Sequence, residues 1–478
     1  MHVDSNDTPP GHFHLYTSTT TPNICSKMKA LHGTVIHSAS ASSLDILTNA
    51  LLVISEAGLI QLLQPDIPPD QVTSILASNY QTTNIPVKYL TPTQFLIPGF
   101  VDTHNHAPQW PQRGLGRGLS LLDWLERVTF QHEARFADPD YAVNMYGKCV
   151  NGMLKQGITT AAYYGSLHGE ASRILGRVCV ERGQRALVGR CNMTREAPGW
   201  YCENGNTEEV LQETRQFVKD MQVVEGESGG LVRAVLTPRF AISCHEDILR
   251  GLGDMAQCEF PDSPIQTHFN EAVDEITYTK KLFPHYRTET QLYESFGLLT
   301  DRTILAHAIY LEPDEITRLQ TLNCGIAHCP IANTTIGPFM IAPVREYLHR
   351  GMKVGLGTDS GGGYSSSMLE VMKMAFVVSN AQFTNTGGRD AVLSIEEGFY
   401  LATMGGARVC GLEDRVGNFA TGKEFDALLV DTAVDGVMAP VEEEDGVRVI
   451  LEKFLVTGDD RNIVQVFVRG RVVKDILD

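Results

Sequence analysis

PGFVDTHNH, at residues 98–106, is a short apolar segment that ends in two histidines. On extended backbone the side chains at positions i and i+2 point the same way, so the imidazoles of His104 and His106 can share one cation. The segment overlaps a predicted first strand over residues 95–102. Strand-like and helix-like segments then alternate along the chain, which predicts that this strand opens a run of parallel βα units.

Seven further strand-like segments follow the first one, and amphipathic stretches such as residues 140–154 and 208–221 lie between them. Eight strands, each followed by a helix, are typical of a closed (β/α)8 barrel of the TIM type. We therefore predict an α/β protein built on such a barrel. The seven segments are residues 158–163, 186–189, 231–236, 265–268, 303–306, 325–327 and 353–356.

The two ends of the chain differ from the middle. Short apolar stretches with turn-like residues between them run from about 32 to 97 and from 416 to 478, and residues 64–83 resemble an exposed loop. Short strands joined by loops predict a small β-sheet domain, and we hypothesise that both ends pair into one β-sandwich. The predicted domains are residues 1–94, which begin with a flexible segment, a barrel over 95–415, and a second sandwich half over 416–478.

The charge and cysteine content argue against several classes of function. A formal net charge of −18 repels the phosphates of nucleic acid, and no segment reaches the apolar length of a membrane helix. The ten cysteines include no C-x-x-C pair, and we expect them, Cys149, Cys179 and Cys258 among them, to be reduced core residues. Because no targeting signal follows Met1, we predict a cytoplasmic protein that binds a small molecule, not nucleic acid or membrane.

Three further metal-ligand types occur at the ends of predicted strands. His268 ends the fifth strand, His307 the sixth, and Asp359 the eighth, in GLGTDSGGG. Active sites of such barrels collect at the carboxyl ends of the strands. One histidine alone is more often a structural residue than a ligand, but four histidines and an aspartate at matching strand ends indicate a metal site.

PGFVDTHNHAPQW continues into LLDWLERVTFQHEARF, and Asp359 lies in GLGTDSGGGYSSSMLEVMKMA. These motifs resemble those of guanine deaminases in the amidohydrolase superfamily. H-x-H alone is common among metal hydrolases, whereas the HAPQ continuation and the GGGYSSSML block are specific. The resemblance covers about residues 95–431 through GITTAAYYGSLH, LTPRFAISC, THFNEAVDEI, LAHAIYL, IAHCP and ATMGGARVCGLEDRVGNFATGKEFDALLVD.

The resemblance implies that one zinc ion per subunit is held by His104, His106, His268 and Asp359. Zinc lowers the pKa of a bound water from about 15.7 to about 7, and the hydroxide formed in this way is implied to attack C2 of guanine. His307 would hydrogen-bond this hydroxide and, together with Asp359, act in catalysis by accepting its proton.

Glu271, in the H-x-x-E of THFNE, matches the proton shuttle of the family. Its implied role is to protonate the purine ring as C2 is attacked and then to help ammonia leave. The structural alternative is that Glu271 only starts the helix that follows, because an acid suits a helix N-terminus.

Gln109, Arg239 and Phe240 match the residues with which the family holds the purine ring, and His106 and His268 are expected to face the substrate too. A site that hydrogen-bonds a polar edge rejects analogues that lack the matching groups. Two alternatives stay open: Arg239 could pair with a surface acid, and Phe240 could be a core residue.

The function implied by the resemblance is zinc-dependent hydrolysis of guanine to xanthine and ammonia by a homodimer. The chain departs from the usual family pattern at Ala272 and Val273, at Thr194, and at residues 331–339 (IANTTIGPF). Because these loops are expected to face the substrate, a different purine, a pterin or another cyclic amidine remains open. A binuclear amidohydrolase is disfavoured because residues 231–243 contain no lysine, and a cytidine-type deaminase because its H-x-E…P-C-x-x-C motif is absent.

Overall fold

The computed structural model describes residues 28–81 and 84–477. Cys25 and the predicted flexible start of the chain lie outside the described residues. The strands are β1 (Lys29–Ser40), β2 (Ser43–Ile54), β3 (Ile60–Gln64), β4 (Val87–Tyr89), β5 (Gln94–Pro98), β6 (Phe100–His106), β7 (Ile158–Tyr164), β8 (Arg185–Gly189), β9 (Cys191–Asn192), β10 (Val232–Ala234), β11 (Thr237–Pro238), β12 (Ile265–Phe269), β13 (Thr303–His307), β14 (Gly325–His328), β15 (Lys353–Leu356), β16 (Ala427–Asp431), β17 (Ile463–Val468) and β18 (Arg471–Asp475).

Helices separate most of the strands in the middle of the chain. Within the described ranges, no helix has both the length and the apolar character needed to cross a membrane. The α-helices are α1 (Val72–Tyr80), α2 (Leu121–Trp124), α3 (Phe130–Glu133), α4 (Pro139–Lys155), α5 (Gly169–Arg182), α6 (Thr207–Glu227), α7 (Glu246–Asp254), α8 (Val273–Leu282), α9 (Glu289–Ser295), α10 (Pro313–Thr321), α11 (Pro330–Thr335), α12 (Val344–His349), α13 (Met368–Asn385), α14 (Ile395–Tyr400), α15 (Gly406–Val409) and α16 (Val447–Thr457).

Parallel strands occupy all eight positions that the sequence predicts. β10, β8, β7 and β6 form one parallel sheet, and β12, β13, β14 and β15 form another. Leu236 bridges Ile265 between the two sheets. At the opposite edges Thr103 of β6 donates a hydrogen bond of 2.9 Å to the carbonyl of Leu356 on β15. The middle of the chain is therefore an α/β fold in which parallel strands and helices alternate.

The predicted first strand, residues 95–102, is in fact two strands in two different sheets. β5 ends at Pro98 and pairs with β16, whereas β6 begins at Phe100 and pairs with β7. Gly99 between them donates its N–H to the Asp426 carbonyl, and a Cβ at this position would lie 2.2 Å from Oγ1 of Thr159. The chain changes sheets at a glycine because the close packing leaves no room for a side chain.

The two ends of the chain meet in one mixed sheet of eight strands. Its order is β18-β17-β16-β5-β1-β2-β3, with β4 beside β1. The N-terminal and C-terminal parts join where β5 and β16 pair antiparallel, with Gln94 opposite Asp431 and Pro98 opposite Ala427. The predicted pairing of the two ends thus takes place within a single sheet.

The predicted loop over residues 64–83 is wrong for residues 72–80, which form α1. Val72 and Leu76 lie one helical turn apart and are both buried. Gln81 ends the helix in the left-handed conformation and donates its N–H to the carbonyl of Ala77. The polar composition of this segment conceals a short amphipathic helix, because only one of its faces is apolar.

The cysteines agree with the prediction in their redox state but not all in their burial. The nine cysteines of the described residues are unpaired, and Cys149 and Cys179 are buried as expected. Cys258 is exposed, so its placement in the core was wrong. It lies in the helical segment Met255–Glu259 that follows α7, of which only Met255 and Ala256 are buried.

Buried charges join the amino-terminal side of the parallel strands to the end sheet. Arg185, the first residue of β8, donates to Asp426 at 3.1 Å and to Glu424 at 2.6 Å. Arg415 and Arg469 also donate to Glu424, at 2.6 and 2.8 Å. Although burial alone would raise it, the arginines lower the pKa of Glu424 to about 2. We call these five residues the basal cluster.

Candidate active site

Four predicted metal ligands converge at the carboxyl ends of the strands. His104 and His106 lie on β6, His268 lies on β12, and Asp359 follows β15. The Nε2 atoms of His106 and His268 are 3.0 Å apart. Oδ1 of Asp359 lies 3.3 Å from Nε2 of His104 and 3.6 Å from Nε2 of His106. We call these four residues the site cluster.

The hydrogen bonds of His268 show which of its nitrogens can accept. His268 donates its Nδ1–H to the carbonyl of Arg239 at 2.6 Å, which leaves a lone pair on the Nε2 that faces His106. Neither nitrogen of His104 makes a directed hydrogen bond within the described residues. Burial lowers the pKa of His104, and it lowers the pKa of His106 and His268 well below 6.5. Neutral imidazoles gathered in this way can each present a lone pair to a cation.

Asp359 supplies the negative charge of the site cluster. Burial alone would raise its pKa, but the interaction with the nearby His104 holds it below the usual value. Three imidazole nitrogens and one carboxylate oxygen are a donor set that suits Zn²⁺ and related divalent ions. The candidate ligands therefore fit such an ion in both type and arrangement.

Cys329 also lies close to His104 and His307 and could in principle complete another ligand set. Burial raises the pKa of its thiol well above the usual value. Since the thiolate is the form that binds a metal, Cys329 is the poorer candidate. The histidine and aspartate set is favoured.

Asp102 fixes the site cluster, although it was not among the predicted site residues. It is fully buried and accepts hydrogen bonds from the backbone N–H of His104 and of Thr358, at 3.3 and 2.9 Å. Its other oxygen accepts from the Thr358 hydroxyl at 2.6 Å and from Asn105 at 3.0 Å. Asp102 therefore ties β6 to the turn that carries Asp359.

Glu271 lies beside the site cluster and faces His307. Its Oε2 is 3.5 Å from Nε2 of His307, whose Nδ1–H donates to Asn333 at 2.7 Å. Burial, and then the charge of Asp359, raise the pKa of Glu271 well above 4.5. A carboxyl group whose pKa is raised holds its proton more tightly, which suits it to act as a general acid.

Glu275, and not Glu271, stabilises the start of the helix that follows. α8 begins at Val273, and Glu275 accepts hydrogen bonds from the backbone N–H of Glu271 and Ala272, at 2.9 and 3.2 Å. Glu289 accepts from the N–H of Asn270 at 3.0 Å. The segment that carries Glu271 is thus held by two buried carboxyl groups, and the Glu271 side chain is left for the site.

The predicted substrate residues line a cavity of about 370 Å³. Arg239 pairs with a buried acid, Glu133, and not with a surface acid: Nη1 lies 2.6 Å and Nη2 3.1 Å from its two oxygens. Phe240 is buried but lines the cavity. The lining residues are His106, Gln109, Leu121, Trp124, Leu125, Arg239, Phe240, His268, Glu271, His307, Ile336 and Asp359.

The departures from the family pattern lie mostly outside this cavity. Thr194 hydrogen-bonds the ring of His245 at 3.0 Å in an exposed position. Ala272 and Val273 line a neighbouring groove. Ile336 is the one residue of these segments among the cavity lining. The altered loops thus border the site, and one of them reaches it.

Known proteins resemble the whole chain. Residues 95–473 match the amidohydrolase family. Guanine deaminase of Dictyostelium discoideum is 39% identical over 452 residues, 94% of this chain and 98% of that protein. Guanine deaminase of Homo sapiens is 36% identical over 448 residues, 92% of this chain and 95% of that protein.

A crystal structure of guanine deaminase from C. acetobutylicum, with guanine bound in its active site, matches with a TM-score of 0.83 at 30% identity. The match covers 93% of this chain and 100% of that one. The chain is therefore a member of the amidohydrolase family, and its resemblance to guanine deaminases extends over nearly its whole length.

Proposed function

We propose that this protein hydrolyses guanine to xanthine and ammonia with one zinc ion per subunit. The observation that carries the proposal is the convergence of His104, His106, His268 and Asp359 next to the buried carboxyl group of Glu271. Full-length relatives that are guanine deaminases support the same reaction.

The four residues of the site cluster would hold the metal. When bound, such an ion lowers the pKa of a coordinated water molecule from about 15.7 to about 7. Two observations support its presence: the nitrogens of His104 lack directed partners within the described residues, and Nε2 of His268 faces Nε2 of His106. Without a cation, His106 can donate its Nε2–H to Nε2 of His268, and in the other tautomer of His106 both nitrogens can present lone pairs to an ion.

In the proposed reaction water adds to C2 of the purine, and the bond from C2 to the exocyclic nitrogen breaks. His307 and Asp359 orient the water and accept its proton. Glu271 donates its own proton to the ring nitrogen beside C2, which prevents negative charge from accumulating in a dry pocket. The water proton taken up by His307 and Asp359 then passes to the amino group, which leaves as ammonia, and the proton of the C2 hydroxyl moves to Glu271 as the carbonyl forms, which restores the protonated carboxyl group.

The purine is proposed to lie in the cavity with its polar edge toward Gln109 and Arg239. Phe240 would pack against the ring, while His106 and His268 border the reacting end. This placement brings C2 close to both the site cluster and Glu271.

We also propose a closed (β/α)8 barrel over residues 95–415 and a β-sandwich formed by residues 1–94 and 416–478. The contact of β15 with β6 and the bridge between Leu236 and Ile265 support closure. The unpaired cysteines of the described residues are consistent with a cytoplasmic protein. A homodimer is proposed from the family resemblance.

The test is ammonia release by the zinc-loaded protein with guanine, 8-oxoguanine, adenine, cytosine and pterin as substrates. Glu271→Gln is the control, because an amide keeps the shape but cannot exchange the proton. We expect xanthine from guanine, and a loss of turnover of about 10²–10⁴-fold in the variant with the metal content unchanged.

Two outcomes would contradict parts of the proposal. Bound metal without guanine turnover would exclude guanine and favour another purine, a pterin or a cyclic amidine. Turnover by Glu271→Gln at the wild-type rate would exclude Glu271 as the proton shuttle.

A further inference from the structure

Glu133 lies at the back of the cavity and accepts four hydrogen bonds. Its Oε2 accepts from Nη1 of Arg239 at 2.6 Å and from the Tyr201 hydroxyl at 2.8 Å. Its Oε1 accepts from Nη2 of Arg239 at 3.1 Å and from Nε2 of Gln109 at 2.8 Å. The side chain of Glu133 is fully buried. One carboxylate thus contacts both of the residues proposed to bind the polar edge of the purine.

The orientation of Gln109 follows from this contact. A carboxylate only accepts hydrogen bonds, so the amide of Gln109 must present its NH₂ group to Glu133. The carbonyl oxygen Oε1 is then turned away, and it is buried without a hydrogen-bond partner in the described residues. Since Gln109 lines the cavity, the group it can offer a ligand is an acceptor.

The charge of Arg239 is balanced by the same carboxylate. The guanidinium uses one N–H of each terminal nitrogen on Glu133, and its other N–H groups are left to donate. Because the pair is neutral overall, the polar edge of the cavity provides one donor and one acceptor with no net charge. A neutral ring with a carbonyl next to an N–H matches this pattern, whereas an anionic ring has lost the N–H that Gln109 needs.

We propose that Glu133 is a positioning residue that makes the cavity select neutral oxopurines over their anions. The inference rests on the proposed function, because it concerns the same cavity. It has a consequence for turnover: the dioxopurine product is more acidic than guanine, and its anion is the form that the cavity rejects. Deprotonation of the product then favours its release.

The test compares Glu133→Gln with the wild type in two measurements, the kinetics of guanine turnover and the inhibition by xanthine. Inhibition is measured at one pH below and one pH above the first pKa of xanthine. An amide cannot accept all four hydrogen bonds and leaves the charge of Arg239 unbalanced. We expect KM for guanine to rise about 10- to 100-fold, because buried donors lose their partner. In the wild type we expect xanthine to inhibit less strongly at high pH than at low pH. In the variant we expect the opposite trend, with stronger inhibition at high pH.

Two further variants separate this role from a structural one. Glu133→Asp keeps the charge, so it should raise KM but retain the wild-type pH pattern of xanthine inhibition. Glu203→Gln is the matched control: Glu203 is a buried partner of Arg190 outside the cavity lining, and its loss should leave KM and the pH pattern unchanged. If Glu133→Gln does not fold, Glu133→Asp with wild-type KM overturns the inference by itself.

The inference and the proposed function fail in different ways. A wild-type protein that does not deaminate guanine contradicts the proposed function, and equilibrium binding of xanthine at the two pH values then still tests Glu133. A folded, metal-loaded Glu133→Gln with wild-type KM and an unchanged xanthine pattern overturns the inference about Glu133.

Discussion

The two ends of the parallel strands both carry buried charge, but they use it differently. At the amino-terminal side the two carboxylates of the basal cluster are paired with three arginines, and Glu424 alone accepts from all three. At the carboxyl side the nitrogens of His104 lack directed partners, and Nε2 of His268 faces Nε2 of His106. The carboxylates of the basal cluster have their partners within the protein, whereas the site cluster gathers the donor groups of a metal site.

This difference separates stability from function along the same strands. Removing one member of a paired cluster leaves a buried charge, which is costly for folding. Removing one member of the site cluster instead removes a metal ligand from the active protein. In barrel enzymes the carboxyl ends of the strands carry the chemistry and the amino ends stabilise the fold.

The largest effect is expected for Asp359→Asn in the site cluster. Loss of the carboxylate should abolish metal binding and lower turnover by more than about 10⁴-fold, because activation of water by nearly nine pKa units depends on the metal. Metal analysis and ammonia release measure both effects. Asp140→Asn, at an exposed position, is the control, and metal retention by Asp359→Asn would exclude Asp359 as a ligand.

The next effect tests the basal cluster. Arg185→Met should lower the free energy of unfolding by about 3–5 kcal/mol, because it leaves two buried carboxylates without their main partner. Its kcat at permissive temperature should stay at the wild-type value. Chemical denaturation measures the change. The control is Arg350→Met, at a surface ion pair, which should lower the free energy of unfolding by less than about 1 kcal/mol. A large loss of kcat in folded Arg185→Met would contradict the separation of the two ends.

A smaller effect is expected behind Glu271. Glu275→Leu removes the acceptor of the Glu271 and Ala272 N–H groups, so kcat should fall about 10- to 100-fold while the metal content stays constant. Glu397→Leu is the matched control, because Glu397 accepts the Ser394 N–H at the start of α14, away from the cavity lining. Equal kcat in both variants would show that Glu275 does not position Glu271.

The smallest effect is a pH dependence of stability. The pKa of Glu424 is lowered from 4.5 to about 2 in the folded protein, so the unfolded chain binds its proton more tightly. The stabilisation by Glu424 is therefore complete above pH 4.5 and is lost as the pH falls toward 2. Urea unfolding across this window should show a steeper loss for the wild type than for Glu424→Gln. Equal slopes would contradict the lowered pKa.

Local sequence was sufficient for several features of this protein. Alternation of apolar strands with amphipathic helices predicted the eight parallel strands, because strand and helix periodicity are visible in short windows. Spacing placed His104 and His106 on one side of β6. The position of ligand types at strand ends predicted that His268, His307 and Asp359 would meet, because parallel strands bring their carboxyl ends to one face.

Tertiary structure alone decided the rest. Glu133 and Arg239 are separated by 106 residues in the chain, and neither the helix that carries Glu133 nor its composition marks it as a site residue. Gly99 ends one strand because Thr159, on another strand, occupies the space of a Cβ. The succession of strands along the chain and the positions of the ligand types are local features, so the sequence alone determined them. Burial, hydrogen bonding and charge pairing depend on contacts between distant segments, so no local pattern encodes them.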